Sequence, residues 1–286
     1  LNAGDYGLAV QERAELIMLS DIAGYVGADT CGCLLAIRQD QQEEISLMID
    51  IGTNGEMVLG NRERMVTCST AAGPAFEGAK IECGMRGAAG AVDHVKYEDG
   101  KWNYTTVGNK PAVGLCGSGL IDLVAGLLDA GMLDENGVLS GGQEKQGVFI
   151  LVPPERGGNE RGVYLTQKDL GEVQLAKAAI AAGIQMLMER LGITEDDICS
   201  VYIAGAFGNY MDPVSAGKIG LLPATLVKKV KPVGNAAGEG AKIALVNEKE
   251  MLEMDELVRK IEFVELAASA DFQDHFIDEL GFETGE

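Results

Sequence analysis

The sequence predicts an α/β domain in which helices flank a mixed β-sheet. Two short apolar runs, residues 45–51 and 199–204, have the length and β-branched content of buried strands, and each ends in a glycine-rich turn. Between them, residues 166–191 carry apolar side chains at helical spacing. Strands that alternate with amphipathic helices in this way are typical of α/β domains.

The sheet is predicted to open as a meander. Residues 45–51 form the first strand, residues 52–55 the turn and residues 56–59 the returning strand, and residues 64–68 follow as a third strand. The remaining predicted elements are helices at residues 16–37, 120–130, 235–247 and 271–280, a hairpin within residues 92–107 and a last strand at residues 262–266. Residues 134–162 are polar and glycine-rich, which predicts an insertion of surface loops and a short hairpin.

The ends of the long central helix are also predictable. Thr166 has the residue type of a helix N-cap, and Asp169 stands three residues later as the acid of a capping box. Gly192 follows the last apolar position and is expected to end the helix.

The composition limits the classes of function. Hydrophobic residues make up 47% of the 286 residues, as in a globular chain. No apolar run reaches the roughly 18 residues that a membrane-spanning helix needs, and the first residues lack the basic and apolar regions of a signal peptide. The net charge of −21 opposes binding to a phosphate backbone. We therefore expect a cytoplasmic protein that binds neither membrane nor nucleic acid, with an acidic surface that serves solubility or a basic partner.

The six cysteines do not form a metal-binding pattern. Only Cys31 and Cys33 lie close together, as C-G-C, whereas zinc and iron–sulfur sites usually need four ligands. We interpret this pair as small buried residues of a helix. The two histidines, His94 and His275, are far apart in the sequence and neither adjoins a nucleophile signature, so a histidine-based triad is not indicated.

The strongest local indication of chemistry is D-I-G-T-N-G-E at residues 50–56. The strand carries Asp50 to its end, and the glycines around Thr53 and Asn54 allow a tight turn whose N–H groups can surround phosphate oxygens. An acid at this position suits a Mg²⁺ held through water, or the orientation of an attacking water. An ordinary hairpin explains the same residues equally well, because Asn-Gly is a common turn sequence.

Three more glycine-rich segments accompany this one. I-A-G-A-F-G-N-Y (residues 203–210) also follows a buried strand, and its bare backbone would let a flat ring or a phosphate lie against it, although glycines needed for packing fit equally well. C-S-T-A-A-G-P-A-F-E-G-A (residues 68–79) carries an acid in a glycine-rich turn, and G-L-C-G-S-G (residues 114–119) leads into a helix N-terminus, a natural anion site. The sequence contains no Walker A loop and no G-x-G-x-x-G after a strand, which argues against P-loop and Rossmann domains.

The order of these segments resembles the second half of the ribonuclease-H-like fold shared by actin, sugar kinases and heat-shock chaperones. First comes a strand with D-x-G-T that enters a hairpin. It is followed by a glycine-rich turn with an acid, then by a long helix, and then by a strand with G-A-F-G. The fold binds ATP between two related halves that each carry a phosphate hairpin. The resemblance implies that residues 45–286 are the second half, with the insertion near residues 134–162, and that residues 1–44 are a helical lead-in from a first half.

Longer segments are similar to the C-terminal domain of the reductive activators of corrinoid proteins, which are ferredoxin-linked ATPases. The segments are D-I-A-G-Y-V-G-A-D (residues 21–29), I-D-I-G-T-N-G-E (residues 49–56), C-S-T-A-A-G-P-A-F-E-G-A (residues 68–79), T-Q-K-D-L-G-E-V-Q-L-A-K-A-A-I (residues 166–180), I-A-G-A-F-G-N-Y (residues 203–210) and V-G-N-A-A-G-E-G-A (residues 233–241). The resemblance implies that ATP drives the transfer of one electron from a [2Fe–2S] cluster to an inactive Co(II) corrinoid, which restores Co(I).

The resemblance also implies roles for individual residues. Phosphate and magnesium would be bound by Asp50, Gly52, Thr53, Asn54 and Gly55; adenosine by Gly205, Ala206, Phe207 and Gly208; and the ribose by Gly73 and Glu77. Asp50 is the expected catalytic residue and would hold Mg²⁺ through water.

This sequence departs from the family pattern in two respects. It contains neither the cysteine set of the ferredoxin domain nor the D-x-G-T hairpin of the first half. We therefore expect a homodimer-forming fragment of an activator that acts on a corrinoid protein, and expect that this fragment alone neither holds the cluster nor hydrolyses ATP well. The alternative is a docking module for a corrinoid protein without ATP turnover. A sugar or acid kinase would need a base in the first half.

Overall fold

The structure is a computed structural model that describes residues 2–11, 13–140 and 147–282, and of Ala206 the backbone alone. Its strands are β1 (Ile45–Ile51), β2 (Gly55–Gly60), β3 (Met65–Thr70), β4 (Ala91–Glu98), β5 (Lys101–Thr106), β6 (Gly114–Leu115), β7 (Val148–Val152), β8 (Val163–Thr166), β9 (Ile198–Ala204), β10 (Val230–Gly234) and β11 (Ile261–Phe263). Its helices are α1 (Ala28–Ile37), α2 (Gly117–Asp129), α3 (Gln167–Leu191), α4 (Gly205–Gly208), α5 (Pro213–Lys218), α6 (Ala236–Val246), α7 (Glu248–Val258) and α8 (Ala270–Asp278).

A six-stranded mixed sheet forms the centre of the molecule, with its strands in the order β10-β9-β1-β2-β3-β11. The meander of β1, β2 and β3 is antiparallel, whereas β9 runs parallel to β1, β10 parallel to β9 and β11 parallel to β3. The predicted fold class, an α/β domain with a mixed sheet flanked by helices, is confirmed.

Both faces of the sheet are covered, which explains why β1 is apolar at nearly every position. Leu47 and Ile49 pack into a core that includes Val173 and Ile180 of α3 on one face. Met48, between them, points to the opposite face and joins a cluster with residues of α1 and α6. Because neighbouring side chains of a strand point to opposite faces, a strand buried on both sides cannot show a polar alternation.

The long helix α3 has the predicted ends. Thr166 and Asp169 form a capping box in which each side chain accepts a hydrogen bond from the other residue's backbone N–H. Gly192 ends the helix in the left-handed conformation, with φ 70°. The helix therefore starts and stops on local signals that the sequence displays.

Two smaller sheets accompany the central one, one of β5, β4 and β6 and one of β7 and β8. The predicted hairpin within residues 92–107 is confirmed as β4 and β5, with positive φ at Asp99 and Gly100 in its turn, and β6 adds a parallel third strand. Among the described residues of the range 134–162, β7 is the one strand, and it pairs with β8 beyond that range. Residues 141–146 of the predicted insertion lie outside the described residues.

The predicted helix over residues 16–37 is wrong in its first part, so the lead-in of residues 1–44 is helical mainly over α1. A tight turn precedes α1, in which the N–H of Ile22 donates to the carbonyl of Val26 (2.9 Å) and the N–H of Val26 donates to that of Ala23 (3.1 Å). Gly24 and Gly27 lie within and after this turn. Their low helix propensity, which apolar composition does not reveal, favours the turn.

The strand β10 and the helix α7 were not predicted, and the last strand is displaced. The strand β10 contains lysine and proline at the edge of the sheet, where neither residue is costly, so it has no apolar signature. The helix α7 follows α6 almost directly and is strongly acidic. The last strand, β11, covers residues 261–263 and not 262–266. Among the described residues, no helix combines the length and the apolar character needed to cross a membrane.

Candidate functional site

The central sheet brings the two main glycine-rich loops together. In the parallel pair of β1 and β9, Asp50 lies opposite Ala204, the residue before Gly205. D-I-G-T-N-G-E and I-A-G-A-F-G-N-Y therefore leave the same edge of the sheet side by side. The carboxyl edge of parallel strands is the usual ligand site of open α/β sheets.

Gly205 closes this edge against Asp50. Its φ of +87° is a left-handed conformation that side chains disfavour, and a Cβ atom placed on it would lie 3.1 Å from Oδ1 of Asp50. A glycine is therefore required for the backbone between β9 and α4 to pass so close to the carboxylate.

The turn of the first hairpin projects beyond the sheet. The N–H of Gly52 donates to the carbonyl of Asn54 (2.9 Å), which closes the turn. Thr53 and Asn54 are exposed at its tip, whereas Gly55 is buried at the start of β2. The turn thus presents two polar side chains and its backbone to a ligand above the sheet edge.

Gly73 and Glu77 lie against the same turn. The N–H of Gly73 donates to the carbonyl of Thr53 (2.8 Å), and the hydroxyl of Thr53 donates to Oε2 of Glu77 (3.0 Å). The structure thus places both residues beside the turn between β1 and β2. Their predicted position around a ribose stays a prediction.

Phe207 joins the remaining glycine-rich segments to the site. Its ring stacks on that of Phe76, with 5.7 Å between the centroids and 16° between the planes. A Cβ atom on Gly117, at the start of α2, would lie only 2.7 Å from the Phe207 ring. All four segments singled out in the sequence therefore meet at one place. The role of Phe207 and Gly208 toward adenosine stays a prediction, as does that of Ala206.

Two partly buried carboxylates at this edge, Asp50 and Glu56, are harder to ionise than usual. The pKa of Asp50 is raised, first by burial and then by the nearby charge of Asp29, while the thiol of Cys33, 3.8 Å from Oδ2, opposes this shift. Burial also raises the pKa of Glu56, with smaller contributions from Asp29 and Asp50. A cation at this position would relieve the repulsion among these groups.

The donor set suits a magnesium ion that is held indirectly. Over the described part of the chain, no group of three or more histidine, cysteine, aspartate or glutamate side chains is arranged to bind a metal. Magnesium usually keeps several waters and takes only one or two carboxylates together with substrate phosphates. The prediction that Asp50 binds Mg²⁺ through water is compatible with this arrangement.

Asp29 is a site residue that sequence reasoning missed. It lies in the first turn of α1, which runs back along β1, so the start of the helix reaches the end of the strand. The signal was present in the segment at residues 21–29, where an acid follows two glycines. Its proximity to Asp50 depends on how the helix crosses the sheet, which the sequence does not display.

The interpretation of Cys31 and Cys33 as buried residues of a helix is confirmed. All six are free thiols, and Cys31 and Cys33 are completely buried in α1. His94 binds Asp122 (Nδ1 to Oδ2, 3.2 Å) and His275 binds Glu189 (Nε2 to Oε1, 2.9 Å), away from each other.

Comparisons with known proteins agree with one another. A family model described as the C-terminal domain of RACo, the ASKHA domain, matches residues 44–286. The chain is 36% identical to the corrinoid activation enzyme RamQ of Eubacterium limosum, over 97% of this chain and 49% of that protein. It is 29% identical to the [Co(II) methylated amine-specific corrinoid protein] reductase of Methanosarcina barkeri, over 98% of this chain and 54% of that protein.

A solved structure gives the same result. The reductive activator for corrinoid,iron-sulfur protein superposes with a TM-score of 0.90 at 38% identity, covering 99% of this chain and 46% of the other. The chain therefore spans about half the length of the curated relatives that it matches.

Proposed function

Because this chain belongs to the family of C-terminal ASKHA domains of RACo, with the actin-like ATPase fold, we propose that it is the nucleotide-binding part of an ATP-dependent reductive activator. Such an activator restores Co(I) in a corrinoid protein by electron transfer from a [2Fe–2S] domain elsewhere in the protein. The observation that carries the proposal is the convergence of the Asp50 hairpin and the Gly205 loop at one sheet edge.

The charge and backbone geometry at this edge support the proposal. Asp50 would hold Mg²⁺ through water, since its half-buried carboxylate lies beside the charge of Asp29. The turn at residues 52–55 would receive phosphate, and residues 205–208 would line the adenosine. Gly73 and Glu77 would complete the ribose side. Bound ATP would supply the free energy for an electron transfer that is otherwise uphill.

An exposed apolar groove supports the proposal that this chain is one half of the ATP site. The groove has a volume of about 730 Å³, and its wall includes Ile17, Met18, Leu245 and Met251 close to Asp29. Met18 is 70% exposed and Leu245 85% exposed. Apolar surfaces of this kind commonly mark interfaces. We assign this groove to contact with a first ATPase half that carries the second phosphate hairpin.

The partner in this proposal is a corrinoid protein, in line with the activities for which the two curated relatives are named. We further propose a cytoplasmic homodimer. The alternative function, a docking module without ATP turnover, is favoured by the acidic net charge of −21 and by the exposure of the hairpin tip.

Calorimetric titration of the full-length protein with ATP and Mg²⁺ tests the proposal. We expect saturable binding that Asp50→Ala abolishes and that Asp196→Ala leaves unchanged, because Asp196 is exposed near the opposite end of β9. The 286-residue chain alone should turn over little ATP. Tight binding of a corrinoid protein without any heat from ATP would instead support the docking module.

A further inference from the structure

We propose that Cys33 is a positioning residue for Asp50 and links this carboxylate to the N-terminus of α6. The proposal rests on the proposed nucleotide site, because it gives Cys33 the task of orienting the carboxylate that would hold Mg²⁺ there. It also accounts for two sequence features that the function does not otherwise use, C-G-C at residues 31–33 and V-G-N-A-A-G-E-G-A at residues 233–241.

Cys33 lies between two partners in the interior. Its sulfur is 3.8 Å from Oδ2 of Asp50, to which the thiol donates, and the side chain is completely buried. The backbone N–H of Ala237, in the first turn of α6, lies close to the sulfur. The thiol therefore donates to Asp50 and lies beside the start of α6.

The contact with α6 requires the two helices to touch at their backbones. A Cβ atom on Gly32 would lie 2.8 Å from the carbonyl oxygen of Ala237, and one on Gly240 would lie 1.9 Å from that of Gly32. Neither position can carry a side chain without separating α1 from α6. The glycine inside C-G-C therefore brings the Ala237 amide within reach of the neighbouring sulfur.

The two oxygens of Asp50 are held from different sides. Oδ2 faces Cys33 of α1, and Oδ1 faces the backbone at Gly205. A carboxylate confined in this way presents its free lone pairs in one direction. Groups that orient a metal-binding carboxylate often matter for affinity nearly as much as the ligand itself.

Cys31 provides a matched control on the same helix. It is also completely buried, but it packs with Leu35 and Met254 in a separate cluster on the α7 side. Truncation of either cysteine to alanine removes one buried sulfur, and only Cys33→Ala removes a donor to Asp50.

The first test measures the Mg²⁺ concentration needed for half-maximal ATP binding by the full-length protein. Cys33→Ala should raise it about three- to tenfold, the effect of one hydrogen bond, and Cys31→Ala less than about twofold. In the Asp50→Asn background, Cys33→Ala should have a smaller effect, because a neutral amide has replaced the charged acceptor of the thiol. Equal effects of the two cysteine variants, or additive effects of Cys33→Ala and Asp50→Asn, would overturn the proposal.

The second test needs no nucleotide. The infrared S–H stretching band of Cys33 is isolated as the difference between the wild-type protein and Cys33→Ala. Asp50→Asn should move this band to higher frequency, because the thiol loses a charged acceptor. An unchanged band would overturn this proposal by itself, whereas absence of ATP binding by the wild-type protein would overturn the proposed function.

Discussion

Gly205→Ala should destabilise the protein and distort the proposed site, because this residue satisfies two demands that alanine cannot meet. Its φ is +87°, and the added Cβ atom would lie 3.1 Å from Oδ1 of Asp50. A left-handed conformation costs an L-residue about 1–2 kcal/mol. The close contact adds to this cost, since the carboxylate must move by a few tenths of an ångström.

Thermal unfolding of the chain measures the expected loss. A destabilisation of about 1–2 kcal/mol corresponds to a fall in Tm of about 2–8 °C for a domain of this size class. Gly171→Ala is the control, since a Cβ atom there, within α3, would meet no atom within 4 Å. That variant should gain about 0.4–1 kcal/mol, because alanine reduces the freedom of the unfolded chain and favours helix.

The two glycine variants are therefore expected to change stability in opposite directions. In addition, Gly205→Ala should weaken ATP binding by the full-length protein, whereas Gly171→Ala should not. If Gly205→Ala unfolds at or above the wild-type temperature, the backbone at this position is not constrained as the structure indicates, and the close approach to Asp50 is refuted.

Two further predictions concern local interactions. Thr166→Ala should remove the capping box of α3 and lower the free energy of unfolding by about 1 kcal/mol. Urea titration should show a lower midpoint with an unchanged m-value. An unchanged midpoint would contradict the role of the cap. Glu56→Gln should stabilise the protein at neutral pH, because folding raises the pKa of Glu56 and thus disfavours its ionised form, while glutamine can still accept from Ser69. This gain in stability should vanish as the pH falls below the ordinary carboxyl pKa, because Glu56 is then protonated in both the folded and the unfolded state. Denaturant titrations of both proteins across the acid range measure it. A stability difference that does not change with pH would refute the reasoning.

Much of the fold was predictable because its signals are local. The strand β1 is identified by its own apolar residues, and α3 by the cap at Thr166 and the glycine at position 192. The lead-in was mispredicted because its small and apolar residues favour a helix. The chain instead forms a turn that is closed by backbone hydrogen bonds between Ile22 and Val26 and between Val26 and Ala23. The edge strand β10 has no local signal, because it forms only by pairing with β9.

In the candidate site, too, local features could be predicted and contacts between distant elements could not. The sequence by itself determined which segments carry glycines and acids, and Asp50, Thr53 and Gly205 could be named from them because turn chemistry depends on adjacent residues. Only the tertiary structure decided that Asp50 lies against Gly205 and accepts a hydrogen bond from the thiol of Cys33. It also decided that burial, and then the charge of Asp29, raise the pKa of Asp50. These contacts join residues from different elements, and their distances are set by strand register and by the close crossing of α1 and α6, which no short stretch of sequence encodes.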